Sequence, residues 1–142
     1  MRRAALVATI VCLAFVGCDK RPPETIRAYI ERSPIIVLAD PVPAQGGVPN
    51  FVAREIWLHT AGSPFTPELG RPVPLPRSWA EHWGARGPVV ITYSVEGPLA
   101  WPNSMRPVGT DGTIQIGSEH FTPEQFKREV LNSLAQRSRA VR

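Results

Sequence analysis

The spacing of apolar residues divides the chain into segments of different character. Residues Ala4 to Val16 form an uncharged run of about thirteen. Ile26, Tyr29 and Ile30 then recur at i, i+3 and i+4, which predicts a short amphipathic helix behind Pro23. Ile35 to Ala39 is a β-branched run, apolar at every position, and reads as the most buried strand. Phe51 to Thr60 predicts a second strand, with Val52, Ile56 and Leu58 on one face and Ala53 and Trp57 on the other. In Val89 to Glu96 the residues Val89, Ile91, Tyr93 and Val95 face one way, and Thr92, Ser94 and Glu96 the other. That is the pattern of a half-exposed strand. Near the C-terminus Phe126, Val130, Leu131 and Leu134 align as one helical stripe expected to bury against the sheet.

Turn chemistry separates these elements. "PVPAQGGVPN" reads as a loop, as do residues 62–70 and 97–107. Pro72, Pro74 and Pro76 alternate in "RPVPLP", stripping backbone donors from one side, so only an edge strand or a polyproline II segment accommodates them. Ser78 to Glu81 matches a capping box opening one helical turn that ends at Gly84, and Asp111-Gly112 predicts a hairpin turn before a short strand, Thr113 to Gly117. Thr122, Pro123 and Gln125 form an N-cap, first-turn proline and capping-box partner for the last helix. Strands and helices do not alternate, which excludes a doubly wound parallel sheet. The expected class is α+β: a small, largely antiparallel β-sheet or OB-like barrel of about five strands, with a short N-terminal helix and a C-terminal helix.

The order "SPIIVLADPVPAQ", "FVAREIWLHTAG", "GPVVITYSVEGP", "VGTDGTIQIG" resembles exported bacterial domains with an oligonucleotide/oligosaccharide-binding-like barrel, related to netrin and tissue-inhibitor-of-metalloproteinase domains. The resemblance covers roughly residues 33–117 and rests on strand order, without a catalytic or ligand motif. The animal inhibitors chelate a protease zinc through a free N-terminal cysteine amine and depend on disulfides. That mechanism does not transfer to an acylated cysteine.

The leader supplies an address. Met1-Arg2-Arg3 is a basic start, and the run that follows fits the roughly 7 to 15 residues of a secretory signal core. It falls short of the roughly 20 that span a bilayer. Phe15-Val16-Gly17-Cys18 resembles the lipobox of bacterial lipoproteins, with Phe15 where Leu is usual. By that resemblance residues 1–17 are a signal peptide, and Cys18 carries diacylglyceryl and often an amide-linked acyl group such as palmitate. Residues 18–23 are then a lipidated linker, 24–136 a single globular domain and 137–142 a flexible basic tail. The alternative is a secreted protein with an incidental cysteine. In enterobacterial lipoproteins Asp directly after the acylated Cys opposes extraction to the outer membrane, so Asp19 implies retention at the periplasmic face of the inner membrane. An ordinary solvated linker residue is the other reading of Asp19.

Composition narrows the chemistry. At 142 residues the chain suits one domain, and 16 prolines and 11 glycines without a repeat punctuate many short elements. Once Cys12 leaves and Cys18 is acylated, no disulfide is available, so stability rests on packing. Removing Arg2 and Arg3 leaves 14 Lys and Arg against 12 Asp and Glu, a net of +2, which does not call for nucleic acid. His59, His82 and His120 lie far apart in unlike contexts, no Gly-x-Ser-x-Gly or phosphate loop is present, and no cofactor is implied. Gly117 to His120 reads as a turn entering the last helix.

Tryptophan is the remaining signal. Trp57 belongs in the core, while Trp79, Trp83, Trp101 and Arg106 have the composition of an interaction surface; without a ligand the same rings would cap the ends of a barrel. The expected function is a lipid-anchored envelope protein acting as a binding or assembly module, attached to the membrane by lipid and able to meet an envelope protein partner. The alternative is a periplasmic hydrolase or other enzyme, which requires His59, His82, His120, Glu119 and Asp111 to converge in one pocket.

Overall fold

The computed structural model describes residues 24–84 and 86–141; the leader, Cys18, Asp19 and the linker through Pro23 lie outside the described residues. Helix α1 (Ile26–Glu31) begins after Thr25, whose hydroxyl accepts from Ala28 N, so Thr25 and not Pro23 opens it. Strands β1 (Ile35–Val42) and β2 (Asn50–His59) follow, then α2 (Arg77–Trp83), β3 (Val89–Glu96) and β4 (Leu99–Pro107). A small hairpin, β5 (Ile114–Ile116) and β6 (Glu119–Phe121), leads into α3 (Pro123–Ala140). The protein is α+β. Its main sheet has the order β2-β1-β3-β4, antiparallel throughout, and β5 and β6 form a second sheet of two strands. The four-stranded sheet is open, with β2 and β4 at its edges, so the barrel form of the expectation is not adopted.

β1 is central and buried on both faces, as its unbroken apolar run requires. Ile36 and Leu38 enter one core with Tyr29, Ile30, Trp57, Val90, Ile114, Ile116, Phe126 and Val130. Ile35, Val37 and Ala39 enter a second with Phe51, Ala53, Ile91, Tyr93 and Met105. The first core lies beneath α1 and α3, the second beneath α2. β3 is therefore covered on both sides and is not half-exposed: Val90 and Thr92 are as inaccessible as Ile91 and Tyr93. Thr92 tolerates burial because its hydroxyl bonds Asn103 Oδ1 at 2.8 Å and Ser104 Oγ at 3.1 Å.

Register corrects several sequence expectations. Shifts opposite Ile36/Val37 and Leu38/Ala39 leave Trp57 and Arg54 without β1 partners. Such bulges break the period of two, so Trp57 and Leu58 both reach the α3 side while Ala53 and Ile56 share the other core. Residues 97–107 are mostly strand, not loop: β4 pairs with β3 across a bulge at Thr92/Tyr93. The Asp111-Gly112 turn does not join paired strands; the hairpin forms instead at Gly117-Ser118, between β5 and β6. The final helix has its full capping box at Thr122 and Gln125, and it continues through 137–140, which composition marks as tail. Leu131 is 55% exposed and lies outside the buried stripe that holds Phe126 and Val130, with Leu134 at its margin.

The proline segment runs along the outer edge of β2. Val73 N bonds Phe51 O, Ala53 N bonds Arg71 O and Gly70 N bonds Ala53 O, which makes the alternating-proline stretch a strap on an edge, as its missing donors demand. The Tyr93 hydroxyl donates to Pro74 O at 3.0 Å and ties the strap to the second core. Burial pushes the Tyr93 ionisation upward, so this donor stays protonated.

Candidate functional site

The strap delivers the chain into α2. Pro76 precedes the helix with extended backbone and no side-chain cap forms, so the Ser78–Glu81 capping box is not made. Instead Arg77 Nε pairs with Glu81 Oε1 at 2.7 Å along the solvent side, and Gly84 ends the helix at φ +56. Only Ala80 is fully buried. One turn of spacing then places Ser78, Trp79, His82 and Trp83 along one flank, and His82 meets the Trp83 ring edge-on at 5.5 Å.

This flank and β4 enclose an open groove of about 500 Å³, lined by Trp79, His82, Trp83, Met105 and Arg106 together with Ser78 and Ser104. Both indoles are half-buried, packed at the margin of the second core. The groove unites Trp79 and Trp83, and Arg106 joins its wall from β4, although Arg106 pairs with Val90 and turns its side chain toward α1. Trp101 is elsewhere: it is 52% exposed and registers with Ser94, whose side alternates from Tyr93 and lies on the α3 side of the sheet.

Arg106 links the groove to the start of the described chain. Its Nη2 bonds Glu24 Oε2 at 3.0 Å, and its guanidinium stands 5.9 Å from the Tyr29 ring centre. Glu24 also pairs with Arg32, so two guanidinium groups share one carboxylate. Arg106 Nε is buried without a partner among the described residues. Gly117 fixes this arrangement from below. A Cβ there would strike the Glu24 carbonyl, and its φ of +59 suits glycine alone.

A second cavity, of about 470 Å³, lies on the other side of Arg106 and includes Glu24, Asp111, Thr113, Gln115 and His120. Of the five residues whose convergence an enzyme requires, Asp111 and His120 meet here, while His82 lines the groove and His59 is exposed at the end of β2. Asp111 accepts from Thr113 N at 3.0 Å and from Thr113 Oγ1 at 2.8 Å, bonds that hold its carboxyl below the usual range. His120 Nδ1 sits 3.3 Å from the same hydroxyl. The Thr113 hydroxyl thus stands between the Asp111 carboxylate and the His120 ring, a chain that orients the imidazole. Glu119 is exposed on β6. No group of three His, Cys, Asp or Glu side chains among the described residues is placed to hold a metal ion.

The sequence signal for the groove was the four-residue spacing of Trp79 and Trp83. Met105 carried none, because its role depends on β4 lying beside α2. Comparison with protein families, curated proteins and solved structures gives no match for this chain.

Proposed function

We propose that this chain is a lipid-anchored binding module of the bacterial envelope, held by acylated Cys18, facing the periplasm, and recognising its ligand through the groove of Trp79, Trp83 and Arg106. One observation carries the recognition site: two indoles packed at the margin of the second core remain half-accessible in a groove walled by Met105 and by β4 at Arg106. Aromatic rings with arginine are the side chains that dominate binding surfaces. The anchor rests on the lipobox-like "FVGC" behind a secretory leader.

A photoreactive amino acid in place of Trp83 tests the site in cells. A discrete adduct, lipid or protein, is expected there and not at Leu131, which is exposed beyond the opposite core. Equal labelling at both positions, or none at position 83, rejects the groove. For the anchor, Cys18→Ala should abolish incorporation of a lipid precursor; persistent labelling rejects acylation at Cys18. Asp19→Ser should move the protein from inner-membrane to outer-membrane fractions, and an unchanged distribution removes Asp19 from sorting.

A further inference from the structure

We infer that the ligand of the groove is the phospholipid interface of the membrane that holds the anchor, an assignment that rests on the lipid-anchored reading above. Chain length carries the first step. Five residues separate Cys18 from Glu24, and over those six steps, at about 3.3 to 3.6 Å each, the acylated terminus lies no more than about 22 Å from Glu24.

Geometry carries the second. Glu24 is pinned by Gly117 beneath it and by Arg32 and Arg106 beside it, and the bond from Arg106 is 3.0 Å long. Arg106 also lines the groove. Arg106 and Met105 are neighbours on β4, so the tether leaves the domain from the far side of the strand that walls the groove, and an anchored bilayer meeting that edge is within reach of the indoles. Tethering makes this contact intramolecular, so it needs little intrinsic affinity.

Chemistry carries the third. Indole rings, apolar in body with one N–H donor, settle at the boundary between headgroup and acyl chain. The Arg32–Glu24–Arg106 set carries one net positive charge, and Arg106 keeps 39% of its side chain exposed. Cations at the anchored end suit an anionic phospholipid leaflet. Trp79 and Trp83 thus supply the apolar part of an edge-on contact, and the arginines across β4 supply its charge.

The test uses residues 18–142, which contain every described element of the fold and have Cys18 as their sole thiol. Coupling that thiol to maleimide lipid in phosphatidylethanolamine–phosphatidylglycerol vesicles imposes the tether chemically, so the result is independent of whether cells acylate Cys18. With bromine-labelled acyl chains in the vesicles, tryptophan fluorescence should be quenched. Trp79→Phe with Trp83→Phe should lose at least half of that quenching, whereas Trp101→Phe should keep most of it, each variant showing an unchanged thermal transition. Arg106→Gln, or phosphatidylcholine in place of the anionic lipid, should weaken it further. Absent quenching, or quenching carried by Trp101, overturns the lipid assignment. Unquenched indoles together with a protein adduct at position 83 in cells would overturn it too, while leaving the binding module in place.

Discussion

The two faces of the sheet are covered in different ways. On one, α1 and α3 close over Ile36, Leu38 and Val90, and Phe126 stands among three other rings, 5.7 Å from Tyr29, 5.2 Å from Trp57 and 6.4 Å from Phe121. On the other, the seven residues of α2 and a proline strap cover Val37, Ile91 and Tyr93, leaving Val48, Phe65, Leu75, Trp79 and Trp83 only partly buried. A long capped helix seals its face, and a short uncapped one leaves an edge open. The sealed face holds the fold together, and the loosely covered face presents the groove.

The sharpest way to break this contrast is at the aromatic centre of the sealed face. Phe126→Ala should cost about 3 to 5 kcal/mol in chemical denaturation; a loss near that of a surface residue would show that α3 does not carry the core. Next comes Thr92→Val. It keeps shape but deprives Asn103 and Ser104 of their buried partner, and should cost about 1 to 2 kcal/mol. A neutral result would mean that these groups find water instead.

Within α3 itself, Leu134→Ala should cost about 1 kcal/mol and Leu131→Ala less than about 0.5. Equal losses would place both on the buried stripe. A pH-dependent effect concerns Glu55, which accepts from Lys127 Nζ at 2.8 Å and Trp57 Nε1 at 3.0 Å and so joins β2 to α3. The Lys127 bond, then the Trp57 bond, hold its carboxyl below the usual range. A carboxyl depressed in the folded state stabilises above its unfolded pKa, about 4.3, and that contribution disappears as pH falls through the folded value. Glu55→Gln should therefore lower stability at neutral pH by less than about 1 kcal/mol, with the gap closing in acid. A gap constant with pH would assign the loss to packing.

These contrasts also mark what the sequence could disclose. β1 was legible because burial on both faces demands an unbroken apolar run, and the start of α3 because Thr122, Pro123 and Gln125 act on neighbours only three residues away. β4 was hidden: Pro102, Asn103 and Ser104 read as loop, and an edge strand paired on one side accepts such residues. The faces of β2 were misread because a bulge is specified by the partner strand, not by the residues that form it. Leu131 follows Val130 by about 100° around α3, and how wide a stripe is buried depends on α1, a six-residue helix whose reach no local pattern encodes. For the groove, the indole pair on α2 was legible but its opposite wall was not, since Met105 and Arg106 arrive from β4.

The strap along β2 has a consequence for encounters between copies of the chain. Wherever a protein is concentrated, an exposed strand edge invites pairing between chains. Here the strap occupies the β2 edge and turns Pro72, Pro74 and Pro76 into its border, while Pro102, Pro107 and the bulge opposite Thr92/Tyr93 deprive β4 of donors and of a straight line. The prolines therefore act as insulation along both edges of the sheet.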